Sequence, residues 1–130
     1  MKDGIKILIV EDCNVMQSVI KKTLSLIGLP FSRIDSATNG LLGLQMIEKQ
    51  LYDIIIVDLN MPVMDGMEMI NNLKKYPHAV DTSVIVVSAD GQQWKKELFK
   101  VQDVGFMHKP FKPEELRSKI LEVTSTTKNS

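Results

Sequence analysis

Four short apolar runs, Ile5 to Val10, Ile54 to Val57, Val84 to Val87 and a weaker Gly105 to His108, recur along the chain with helical patterns between them. They are rich in Ile and Val and almost unbroken, whereas a strand with one wet face alternates apolar and polar residues. Unbroken runs of this length mark strands covered by helices on both faces. Arg33 to Ala37 is a weaker fifth candidate. The intervening segments supply the covers. Met16, Ile20, Leu24 and Ile27 recur at helical spacing, with Gly28 as a stop signal and Pro30 beyond. Leu44, Ile47 and Leu51 suggest a second helix. Met67, Ile70 and Leu73 suggest a third that ends before Pro77, and Trp94, Leu98 and Val101 a fourth. The last helix begins at Pro113, where a missing N–H costs nothing, and Glu114 and Glu115 suit the positive end of its dipole. Leu116, Ile120 and Val123 form its buried stripe. Thr124 to Ser130 is a polar tail with nothing to bury, and it is expected to fray.

Strands alternating with helices predict an α/β domain with a parallel sheet, because each crossover helix returns the chain to the same edge with right-handed connection. A chain of 130 residues, 44% hydrophobic and 25% charged, is long enough for one such core. Residues 1–123 are expected to form the domain and 124–130 the tail. Sixteen basic and sixteen acidic residues cancel, so nothing draws the chain toward nucleic acid or an anionic membrane surface. No apolar run approaches a membrane span, and the opening Met-Lys-Asp-Gly lacks a signal peptide's apolar core. The single cysteine, Cys13, excludes an internal disulfide. A cytoplasmic protein is expected.

In open α/β sheets ligands bind outside the carboxyl ends of the strands. The residues that directly follow the apolar runs are Glu11 and Asp12, Asp58, Ser88, and Lys109. The expected topology brings these three carboxylates, one hydroxyl and one ammonium to the same rim. Carboxylates held close raise one another's pKa, so the cluster is costly without a cation. Oxygen donors without His or Cys favour a hard ion, and few protein ligands with room for water and phosphate favour Mg²⁺. Helix capping by Glu11 and Asp12 explains only part of the set, since it leaves Asp58, Ser88 and Lys109 unexplained.

The segments ILIVEDCNVM, IIIVDLNMPVMDG, VIVVSAD and HKPFKPEEL resemble, in order and spacing, the signature segments of response-regulator receiver domains of two-component systems, the CheY-like family. The resemblance covers roughly residues 5 to 123. It implies a flavodoxin-like five-stranded parallel sheet of order 2-1-3-4-5 flanked by five helices. It implies that Asp58 is the phosphoacceptor, taking a phosphoryl group from a histidine kinase or phosphotransfer protein. By the same resemblance Asp12, Glu11, Asp58 and the Asn60 backbone carbonyl hold Mg²⁺. Ser88 donates its hydroxyl to a phosphoryl oxygen, the Ala89 N–H contributes a second donor, and Lys109 pairs with the phosphoryl group. Pro110 is expected to follow a cis peptide. Ser88 and Phe106 would form a switch, with Phe106 standing where the family often has Tyr. The downstream protein would read the face made by the fourth helix, the last strand and the last helix. Asn60 and Asp90 would flank the path of the water that removes phosphate. Such a protein signals by changing its surface and is not an enzyme acting on other substrates.

The stretch Lys100 to Met107 departs from the family's usual Gly-Ala-Asp-Asp-Tyr type of sequence. Cys13 is expected to be a small buried residue, His78 and His108 structural, and Met61, Met64, Met67 and Met69 mostly packing. Lys95, Lys96 and Lys100 read as a solvated helix face. A haloacid-dehalogenase-type phosphatase also uses an Asp nucleophile with Mg²⁺, but needs a second Asp where this chain has Asn60. Flavodoxin-like electron carriers need a phosphate loop that Glu11 and Asp12 would repel. A phosphorylation-independent binding module would not require the complete five-residue set. The sequence therefore favours a stand-alone receiver that relays its signal through another protein.

Overall fold

Along the central strand, Ile54–Asp58, neighbouring residues enter opposite layers of the core. Ile55 and Val57 pack with Leu8, Val10, Val84 and Val86, whereas Ile54 and Ile56 pack with Ile7, Ile9, Ile85 and Val87. The side-chain period of two is intact, and the runs look continuous because both faces are dry. The structure, a computed structural model, describes residues 4–59, 66–73, 75–79, 81–89 and 104–128.

The elements are β1 (Ile5–Val10), α1 (Asn14–Leu26), β2 (Phe31–Ala37), α2 (Gly40–Lys49), β3 (Ile54–Asp58), α3 (Gly66–Leu73), a 3-10 turn (Pro77–Ala79), β4 (Ser83–Ser88), β5 (Val104–His108) and α4 (Pro113–Lys128). The sheet is parallel throughout, in the order β2-β1-β3-β4-β5. One layer is closed by Leu44 and Ile47 of α2 with Met69, Ile70 and Leu73 of α3. The other is closed by Ile20 and Leu24 of α1 with Leu116, Ile120 and Val123 of α4. Gly105 lets α4 approach β5 closely, since a Cβ there would lie 2.9 Å from both Lys119 Cδ and Val123 Cγ1.

Local signals set the element ends. Gly28 adopts φ +72 just past α1, a left-handed turn that favours glycine. Asn39 caps α2, its Oδ1 accepting from the Leu42 N–H at 2.9 Å. Glu115 reaches back to accept the Lys112 N–H at 3.0 Å, which holds the start of α4. The Arg117 Nε donates to the Ile27 carbonyl at 3.0 Å, so α4 also ties down the end of α1.

Several expectations are corrected. β2 begins at Phe31 rather than Arg33, and its burial is partial because it is an edge strand paired only with β1. Leu51 is 56% exposed: the chain leaves α2 in an extended conformation at Gln50, and Tyr52 takes the buried place instead. The segment after Val123 does not fray at Thr124. α4 runs on to Lys128, and the buried Thr124 hydroxyl is satisfied by donating to the Ile120 carbonyl at 2.7 Å. Cys13 is exposed, because the residue preceding α1 turns out of the sheet. The expected helix around Trp94, Leu98 and Val101, with Lys95, Lys96 and Lys100, lies outside the described residues, as do Met61 and Met64 and the side chain of Met67. Met69 is buried, and no described helix is long and apolar enough to cross a membrane.

Candidate functional site

Parallel pairing in register brings the carboxyl ends of β1, β3, β4 and β5 to one rim. Val10 lies opposite Val57, Asp58 opposite Val87, and Ser88 opposite His108. The next residue on each strand therefore meets its neighbours at the same edge. Glu11, Asp12 and Asp58 converge there, one carboxylate oxygen of each lying within 4.8 Å of the others. Glu11 and Asp58 are buried and Asp12 is exposed.

Lys109 supplies the cation. Its Nζ donates to Glu11 Oε1 at 2.8 Å and lies 3.4 Å from Asp58 Oδ2. Its own N–H donates to the Ser88 carbonyl at 2.9 Å, which sets where the side chain leaves β5, and the peptide to Pro110 is cis. Burial pulls the Lys109 pKa down, but the hydrogen bond to Glu11 and the attraction of Asp58 and Glu11 outweigh it and hold the ammonium above its ordinary 10.5. The Asp12 carboxyl is pushed up, first by hydrogen bonding with Glu11, then by burial and by the Glu11 charge.

Among the described residues, three carboxylates face one ammonium, a net negative set of oxygen donors. Such a set fits a hard divalent cation, and it lacks the His or Cys that a softer metal prefers. Ser88 is fully buried at the end of β4 and Ala89 beside it is exposed, both at this rim. Phe106 is half-buried on β5 opposite Val86 and packs against the layer that α2 and α3 close. Asn60 and Asp90 lie outside the described residues.

One participant was not foreseen. Gln17, in the first turn of α1, is buried, and its Nε2 donates to the Glu11 carbonyl at 2.6 Å and the Ala37 carbonyl at 3.2 Å. Its sequence signal is a polar residue three before Ile20, on the stripe that Ile20 and Leu24 continue into the core.

Comparison with known proteins agrees with this geometry. Residues 7–121 match the family model of the response regulator receiver domain. The chain is 37% identical over 118 residues to protein-glutamate methylesterase/protein-glutamine glutaminase 2 of Koribacter versatilis, covering 91% of this chain but 31% of that one. It is 27% identical to chemotaxis protein CheY-3 of Vibrio cholerae, over 92% of each chain. The crystallised receiver domain of sensor histidine kinase PA1611 from Pseudomonas aeruginosa PAO1, with a magnesium ion coordinated in its active site cleft, superposes with a TM-score of 0.83. That pair is 28% identical, over 94% of this chain and 98% of the other. The sheet order, the acidic cluster with its lysine at the carboxyl rim and the family match lead to one conclusion: this chain belongs to the CheY-like response-regulator receiver domains of two-component signalling.

Proposed function

We propose that Asp58 accepts a phosphoryl group from a phosphohistidine of a histidine kinase or phosphotransfer protein, and that the acyl phosphate changes the surface offered to a downstream protein. The observation that carries this reading is the setting of Asp58: a buried carboxylate at the end of the central strand, 3.4 Å from an ammonium and grouped with two further acids. A carboxylate is already deprotonated, so its attack on phosphorus needs no general base. As the O–P bond forms, the P–N bond breaks and its electron pair returns to the imidazole. Phosphoryl transfer depends mainly on positioning and charge neutralisation.

Glu11, Asp12, Asp58 and the Asn60 backbone carbonyl are the residues that would hold Mg²⁺. Bound there, the ion would supply positive charge against the phosphoryl oxygens. Lys109 would turn from the carboxylates toward the phosphoryl group, the Ser88 hydroxyl and Ala89 N–H would donate to its oxygens, and movement of Ser88 would draw Phe106 inward. A packed aromatic with discrete rotamers serves as a two-state element, and the partner would read the change on the face that includes β5 and α4. Asn60 and Asp90, short and polar, are assigned to the flanks of the hydrolytic water's path, which favours rapid resetting.

The test is intact mass after incubation with acetyl phosphate and Mg²⁺. One phosphoryl group should be gained, and lost both in Asp58→Ala and on chelation. Full labelling of Asp58→Ala would end the assignment.

A further inference from the structure

We propose that Gln17 is a positioning residue for the acidic cluster, clamping the Glu11 main chain so that Glu11 and Asp12 are presented to a divalent cation as a fixed pair. This rests on the reading of the site given above and extends it to a residue that touches neither metal nor phosphate.

Three elements meet at one side-chain amide. Gln17 Nε2 reaches the carbonyl of Glu11, which follows β1, and the carbonyl of Ala37, which ends β2. Ala37 also accepts the Glu11 N–H at 3.0 Å. Both main-chain polar groups of Glu11 are thereby engaged. Its carboxylate is engaged as well, by Lys109 Nζ at 2.8 Å and by the Cys13 N–H at 3.3 Å. Fixing the Glu11 carbonyl fixes the peptide plane that leads into Asp12, and with it the direction from which the exposed Asp12 carboxylate enters the cluster.

The start of α1 needs such an anchor. Cys13 stands at its N-cap and makes no side-chain capping bond, and no acidic residue lies in the first turn. The helix is held to the rim from within by Gln17. An amide buried on an otherwise apolar stripe costs free energy unless it is bonded, and this one is bonded to the loop that carries two of the three acids. Residues that orient ligands from behind typically change metal affinity by about 10–100-fold when removed.

The variants are Gln17→Met, which keeps length and removes the donor, and Gln17→His, whose Nε2 is the same number of bonds from Cα as the glutamine nitrogen and adds no charge in alkaline buffer. Mg²⁺ affinity is measured at about pH 8.5 by calorimetry on chelator-stripped protein, beside urea unfolding in chelator. Gln17→Met should bind Mg²⁺ about tenfold more weakly, and Gln17→His should recover part of that loss. Binding of unchanged affinity in Gln17→Met, or equal loss in both variants, would overturn the proposal, the second outcome assigning the effect to packing alone. A wild-type protein that binds no Mg²⁺ would instead overturn the site reading. Exchange of the Gln17 side-chain amide protons in the unmodified protein gives a metal-free check on the clamp: they should exchange far more slowly than those of the exposed Gln45. Equal rates would refute the clamp whatever the variants do.

Discussion

Replacing Lys109 by Met removes the ammonium and keeps most of the side chain's length. The Glu11 and Asp58 side chains, 3% and 9% exposed, then lose a cation that sits 2.8 Å and 3.4 Å away. At the effective dielectric that describes protein sites, unit charges at such separations attract by roughly 5 kcal/mol each, much of it offset by the desolvation of the ions. Removing one partner of a buried pair costs about 3–5 kcal/mol because the other charge is left behind. The 17% exposure of the lysine side chain places this case at the lower end, about 3 kcal/mol at neutral pH without metal. For a domain of this size that is a fall in Tm of roughly 10 °C. The Lys109 pKa is raised above 10.5, so its contribution is full below that pH and is lost as pH rises through the higher folded value. The gap between wild type and variant should therefore stay flat across neutral pH and close as pH rises through that folded value. Urea unfolding in chelator measures it. Repeating the measurement with saturating Mg²⁺ should reduce the gap to below about 1 kcal/mol, since a second cation then faces the same carboxylates. A Lys109→Met variant within about 0.5 kcal/mol of wild type in chelator would refute the claim that this ion pair holds the acids together.

Two further variants probe the scaffold. The Tyr52 hydroxyl donates to Asp35 Oδ2 at 2.6 Å, and Tyr52→Phe should cost about 2 kcal/mol, as for a bond to a charged acceptor. Burial and then Asp35 raise the phenol's pKa above 10.0, so this advantage should persist to about pH 10 and disappear as pH rises through the folded value. On the acid side, burial would raise the Asp35 pKa, but Tyr52 and Arg33 lower it overall, so its contribution should be lost only as pH falls below about 3.8. Unfolding curves at several pH values check both limits, and a Tyr52→Phe gap that vanishes at neutral pH would contradict them. Gly105→Ala should cost about 1–3 kcal/mol: Lys119 Cδ can swing away from the new methyl, but Val123 Cγ1 is fixed on a packed helix. A melting temperature unchanged in Gly105→Ala would show that α4 can move off β5 without loss.

The strands legible in the sequence were those dry on both faces, where burial selects Ile and Val at every position. β2 was faint because an edge strand keeps polar residues such as Ser32, Arg33 and Asp35, and polar composition does not separate strand from loop. The rim residues Glu11, Asp12, Asp58, Ser88 and Lys109 were legible because topology alone brings strand ends together. Gln17 was not, because its bonds run to main-chain carbonyls whose positions only the folded chain defines. Leu51 and Thr124 mislead in opposite directions. An apolar residue beyond a helix end can face water, and a hydroxyl that bonds its own helix can be buried.

All strand pairs in this sheet are parallel, and the bond from Arg117 to the Ile27 carbonyl spans 90 residues. The chain therefore contains no β-hairpin among its described strands to act as a quick local start, and its contacts wait on long loop closures. The layer formed by Ile7, Ile9, Ile54 and Ile56 has α1 on it early, but it is completed only when α4 arrives. A nascent chain emerging from a ribosome thus carries a half-roofed, sticky face until Leu116, Ile120 and Val123 have been made. Protection of that face by chaperones, or a pause before residue 113, would bear directly on how much protein reaches its signalling form.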